Sequence, residues 1–162
     1  MIHEKLLDLC AGNEAAVAFI EGFWSLMEVW DDLIDRDKPV GNEAIDRTVM
    51  WALFGLQDNP FYRMYPVALR TSMQHAIASW QTANRFERTG DPMLVEQAYF
   101  MRCSPYDVFA LVAWLAGGPD KHMEAIAYFR SQARDDSLAA YMLEHIGESH
   151  GMAQFPQAPE SP

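Results

Sequence analysis

The sequence predicts an all-α fold, a single compact multi-helix bundle of about six to eight helices. Three observations predict it. Helix-start and helix-stop residues punctuate the chain at regular intervals. Alternating apolar and polar runs rich in Val, Ile and Thr, the mark of strands, are absent. The 162 residues, 50% hydrophobic with 5 Trp, 9 Phe and 10 Met, can fill one domain's core without metal or disulfide.

Each element has a local reason. Met1-Ile2-His3-Glu4-Lys5 opens directly into an amphipathic pattern, with no basic segment and apolar core such as a signal peptide carries. Asn13 caps a helix running through Trp24 and Trp30 to about Arg36, where Pro39 and Gly41 end it. Asn42 caps the next, with Glu43 in its first turn and Trp51, Leu53 and Phe54 inside it. Asn59-Pro60 and Asp91-Pro92 repeat one start signal, a capping side chain followed by Pro in the first helical position. Ser104-Pro105 either kinks one helix running from Pro92 to Ala116 or splits it in two. Gly117-Gly118-Pro119 is a stop, after which helical spacing resumes from Asp120 to about Arg134. Ser137 starts a last helix that dies near Gly147. Residues 1–150 therefore form one helical domain. Residues 151–162, with Pro156, Pro159 and Pro162, read as an extended, flexible tail. No repeat, low-complexity block or linker divides the chain.

Charge excludes some partners. Twelve Lys and Arg are scattered among twenty-three Asp and Glu, a formal −11, so no basic stripe exists for nucleic acid. An anionic membrane surface would repel the same field. The most apolar stretch, Val108 to Ala116, is far short of the ~20 residues that span a bilayer. Cys10 and Cys103 fit no metal-ligand spacing and read as reduced thiols packed as small hydrophobes in a cytoplasmic protein, a single disulfide being the alternative.

The sharpest chemical signal comes from placing the second helix on a wheel at ~100° per residue. Ala16, Val17, Ile20, Phe23, Trp24, Met27, Trp30 and Ile34 gather on the core side. Asp31 falls inside that stripe, Asp35 lies at its edge, Glu28 just beyond, and Asp32 points further toward water. An unpaired buried carboxylate costs several kcal/mol, so Asp31 needs a cation, a hydrogen-bond donor or a metal ion. From Leu69 a second stripe reads Leu69, Met73, Ala76, Ile77 and Trp80, and then Asn84 and Glu87 continue it, while His75 faces away. If the two polar ends are adjacent, Asp31, Asp35, Asn84 and Glu87 line one pocket. Arg102 is the nearest counter-ion by pattern.

Two readings compete for that cluster. Carboxylate and amide oxygens suit Mg²⁺, with Asp31, Asp35 and Glu87 as ligands and a substrate diphosphate completing the site. On the other reading, Arg102 or another cation forms a buried ion-pair network that orients helices and performs no reaction.

Two resemblances bear on the choice. Asp31-Asp32-Leu33-Ile34-Asp35 is similar to the DDxxD motif of isoprenoid and terpene synthases, all-helical enzymes in which such aspartates hold Mg²⁺ against a diphosphate. Asn84 and Glu87 loosely resemble the second metal-binding segment of terpene synthases, although only three positions separate them, where that pattern uses spacings of four. The other resemblance extends to about Gly118. Trp30-Asp31-Asp32-Leu33-Ile34-Asp35, then Asn59-Pro60-Phe61-Tyr62, then Trp80, Ala83-Asn84 and Glu87 before Gly90-Asp91, resemble a group of small helical proteins encoded by tailed bacteriophages and prophages. That resemblance implies a phage origin and a role in the virion, in its assembly or in manipulating the host, in the host cytoplasm or the particle.

Other signals carry less. His145, Glu148 and His150 do not match the two-histidine helical zinc motif. Gly117-Gly118 follows a helix and so terminates structure rather than cradling phosphate. No Gly-x-Ser-x-Gly occurs, and neither cysteine has a histidine nearby in sequence. The resulting expectation is a protein acting through a protein partner or self-association, with a structural acidic cluster. Its alternative is an Mg-dependent enzyme acting on a diphosphate or nucleotide through Asp31/Asp35 and Asn84/Glu87, with Arg102 holding the phosphate.

Overall fold

The computed structural model describes residues 3–36, 38–132 and 137–146, and every regular element in them is helical. In order they are α1 His3–Leu9, α2 Glu14–Asp35, α3 Asn42–Met50, a π-helical turn Trp51–Gly55, α4 Leu56–Asp58, α5 Pro60–Met64, α6 Pro66–Glu87, α7 Pro92–Met101, α8 Ser104–Gly117, α9 Pro119–Gln132 and α10 Leu138–Ile146. Eight of the described helices are seven residues or longer, in keeping with the all-α expectation. The expected tail, residues 151–162, and Glu148 and His150 lie outside the described residues.

The capping signals act where they were read. Asn13 accepts from the Ala16 amide, Asn59 from Tyr62 at 2.9 Å, and Asp91 from Met93 at 2.9 Å. Ser137 accepts from Ala140 at 3.2 Å, opening α10. Asn59 does a second job, since its Nδ2 donates to the Ala15 carbonyl at 2.9 Å and ties the start of α5 to the start of α2. Gly118 ends α8 with φ 83°, the left-handed region that glycine enters at little cost.

One boundary differs from expectation, and two that the sequence left open are fixed by the structure. Asn42 is the first helical residue and makes no cap; the extended Gly41 holds the cap position without a side chain to offer. The Asn59-Pro60 start launches only five residues, because Tyr65-Pro66 forms a second break and α6 begins there. Ser104-Pro105 splits the helix rather than kinking it, leaving Arg102 and Cys103 in the junction between α7 and α8.

At the centre lies α8, packed against α9, α6 and α2. It buries Val108, Phe109, Ala110, Val112 and Ala113, which explains why its sequence is apolar nearly all round. Among the described residues, no helix is long and apolar enough to cross a membrane. Phe19, Phe23, Phe109 and Phe129 fill the main core together with Leu6, Leu9, Ile20 and Leu69. A smaller core of Ala83, Val95, Ala98, Tyr141 and Met142 joins the end of α6 to α7 and α10. Ile34 was expected on the core side but is 43% exposed, because the last turn of α2 has run past its apolar neighbours.

The segment from α3 to α4 packs on α2 and lays Trp51 against it. A Cβ placed on Gly22 would sit 2.0 Å from the Trp51 Nε1, and one on Gly55 would sit 3.1 Å from Trp51 Cδ1. The indole is thus held between two glycines. The Leu56 amide reaches the Trp51 carbonyl, the i→i+5 bond that defines the π turn.

Candidate functional site

The polar ends of α2 and α6 are adjacent. Trp30 and Trp80 bring them together with ring centroids 4.5 Å apart, and the Trp80 Nε1 donates to Asp31 Oδ1 at 2.9 Å. Trp80 therefore packs into the main core while its one polar atom meets the carboxylate that interrupts the α2 stripe.

Arg102 completes the arrangement from the α7–α8 junction. Its Nε donates to Glu87 Oε1 at 2.8 Å and its Nη2 to Glu87 Oε2 at 2.7 Å, while Nη1 donates to Asp31 Oδ1 at 2.9 Å. Asp35 stands further off, its Oδ2 4.0 Å from Nη2. The guanidinium also lies over the Trp80 ring, 5.0 Å from its centroid, where the π face favours a cation. The Ser104 Oγ donates to the Ala76 carbonyl at 3.1 Å and pins the junction to α6. From α10, the Tyr141 hydroxyl donates to Glu87 Oε1.

Burial gives these contacts their weight. The Glu87 side chain is 8% exposed and that of Arg102 16%, whereas Asp31 remains 44% exposed. Burial by itself would raise the Glu87 pKa, but hydrogen bonds from Arg102 and Tyr141 outweigh it and hold the carboxyl below its ordinary value. For Arg102, burial opposes the charge, and Glu87 and Asp31 more than offset it, raising the pKa further. Burial and then the bond to Glu87 push the Tyr141 phenol up. Bidentate arginine–carboxylate pairs of this kind are strong and directional.

The carboxylates Asp31, Asp35 and Glu87, expected as metal ligands, thus surround a guanidinium. Among the described residues, no group of three or more His, Cys, Asp or Glu is arranged to hold a metal ion. Asn84 lies on the α6 face between Trp80 and Glu87, and its Oδ1 is enclosed with no hydrogen-bond partner among the described residues. Asp32 was expected to point further toward water than its neighbours, yet its side chain is 31% exposed against 42% for Asp35. The loop after α2 folds back beside it, bringing Lys38 Nζ to 3.9 Å.

A second feature lies elsewhere. The segment from α3 to α4 packs Thr48, Trp51 and Leu56 inward, yet Val49, Met50, Leu53 and Phe54 are 47%, 58%, 60% and 55% exposed. These are two i,i+4 pairs side by side, an apolar stripe on the face away from α2. Sequence reading placed Leu53 and Phe54 inside their helix. It missed that the helix is apolar on both faces, a signal that was present. Trp80 was visible only as core, and Tyr141 gave no local sign of joining the cluster. His145 packs edge-on against the Tyr141 ring, centroids 4.5 Å apart. Cys10 and Cys103 are free and buried.

No family model, no curated protein and no solved structure matches the chain.

Proposed function

We propose that the protein acts by binding another protein, and that the cluster around Arg102 is a structural joint between helices. One observation carries the reading. The apolar stripe of Val49, Met50, Leu53 and Phe54 is exposed on a helix whose other face is already packed, and contiguous apolar surface of this kind marks interaction sites. The ion-pair cluster is consistent with it, because its most buried carboxylate is bound at both oxygens by Arg102.

On the resemblance of the Trp30–Asp35, Asn59–Tyr62 and Trp80–Asp91 segments to phage and prophage proteins, the binding serves a virion, its assembly or the handling of a host. The protein would then work in the bacterial cytoplasm or in the particle. The formal −11 makes nucleic acid and anionic membrane poor partners.

The Mg-dependent enzyme reading, with Asp31, Asp35, Asn84 and Glu87 about a diphosphate or nucleotide, has in its favour the enclosed Asn84 Oδ1, which has no hydrogen-bond partner among the described residues. Thermal unfolding of wild type and Asp31→Asn, with and without Mg²⁺ and then pyrophosphate, separates the two. A ligand that binds the folded state raises Tm by mass action. A flat wild-type response is the expected result. A metal-dependent rise in Tm, increased by pyrophosphate and absent in Asp31→Asn, would sink the binding-only reading.

A further inference from the structure

We infer that the Val49/Met50/Leu53/Phe54 face takes an amphipathic helix of another protein whose apolar stripe is flanked by Lys and Arg. The inference rests on the proposed binding function and names its partner chemistry. Four of the fourteen large hydrophobic side chains exposed among the described residues fall within six consecutive positions here. Two i,i+4 pairs present a surface about one and a half turns long, which a second helix can meet with its own i, i+3 and i+4 anchors.

Charge selects among occupants. Residues 42–58, the segment that carries the stripe, have three acidic side chains against one basic, a formal −2, in a chain of formal −11. Glu43, Asp46 and Asp58 lie exposed on the same segment as the stripe, with Arg47 as their single basic neighbour there. A second copy of this chain would bring an equally acidic surface against it. A basic helix gains complementary charge around a small apolar centre, which speeds encounter and suppresses wrong partners.

The probes are two synthetic amphipathic helices with one shared Leu face, flanked by Lys in one and by Glu in the other. Binding is measured by calorimetry at low and at higher ionic strength, against wild type, Leu53→Glu and Phe54→Glu. Both positions are exposed, and circular dichroism verifies that the variants fold. The Lys peptide should bind wild type about tenfold or more tightly than the Glu peptide, weaken with salt, and lose binding to both variants. That loss is diagnostic, because each variant adds negative charge and would strengthen a merely electrostatic attraction. Undiminished binding of the Lys peptide to Leu53→Glu overturns the inference. Equal binding of both peptides, lost in the variants, overturns the basic partner and leaves the binding function standing. So does a concentration-dependent dimer in sedimentation that Leu53→Glu abolishes while neither peptide binds, since the occupant is then a second copy. A monomer that binds neither peptide removes both the inference and the docking face on which the binding function rests.

Discussion

Arg102 and Glu87 meet edge to edge, with Nε–Oε1 at 2.8 Å and Nη2–Oε2 at 2.7 Å, and together they fasten the α7–α8 junction to the end of α6. The pair stands between the main core, which contains Trp80, and the smaller one, which contains Tyr141. Its loss is therefore expected to loosen two cores at once.

Arg102→Ala leaves the Glu87 carboxylate buried with only Tyr141 as a donor among these contacts. Breaking a buried pair by removing one partner costs ~3–5 kcal/mol. Asp31→Asn keeps an oxygen for the Trp80 indole and alters a half-exposed charge, so it should cost about 1 kcal/mol or less. Urea unfolding of the two variants should rank them in that order. Equal losses would mean that Asp31, not Glu87, is the main anchor of the guanidinium.

Stability should fall in acid through Glu87. Its folded pKa lies below the unfolded value, so its contribution is fully present above an unfolded pKa of ~4.3. It is lost as pH falls through the lower folded value. Wild type should steepen its loss of ΔG below that point, and Glu87→Gln, less stable at neutral pH, should show a flatter acid limb. Parallel acid limbs would assign the acid sensitivity to other carboxylates.

Tyr141→Phe removes the hydroxyl that ties α10 to Glu87 and should cost about 1–2 kcal/mol at neutral pH. The raised phenol pKa means the folded state keeps its proton longer than the unfolded chain does. That contribution holds below the unfolded value of ~10 and is lost at higher pH, so the variant should lose less stability in alkali than wild type. Hydrogen exchange should place the loosening in α10. Uniform loss across all helices would contradict a local tether.

Gly22→Ala tests the Trp51 clamp by sign. In an open helix the change would stabilise by up to ~1 kcal/mol. Here the new Cβ would lie 2.0 Å from the indole, so overpacking of ~1–3 kcal/mol should win. In a Trp51→Ala background the same change should become neutral or stabilising. A favourable effect in both backgrounds would show that the indole moves aside freely.

Neither thiol should react in the folded state. Both are buried, and burial pushes Cys10 up to about 12. Alkylation at mildly alkaline pH should proceed only at the rate of unfolding. Rapid labelling of one equivalent in native protein would show that one of the two buried sites opens without global unfolding.

The sequence alone determined the helical class, most of the helix starts and the polar break that Asp31 makes in the α2 stripe, because those depend on groups within one or two turns. Asn13, Asn59 and Asp91 bond to amides two or three residues ahead, and a carboxylate between Ile20 and Trp24 on a wheel violates an apolar face whatever surrounds it. Only the tertiary structure decided that Arg102, 71 residues away, meets Asp31, and that Tyr141, 54 residues beyond Glu87, joins them. It likewise decided which apolar face of the α3–α4 segment is covered, since both faces carry the residues of a core. Burial and pairing across the bundle are set by which helices become neighbours, and that follows from the summed packing of all the faces rather than from any local pattern.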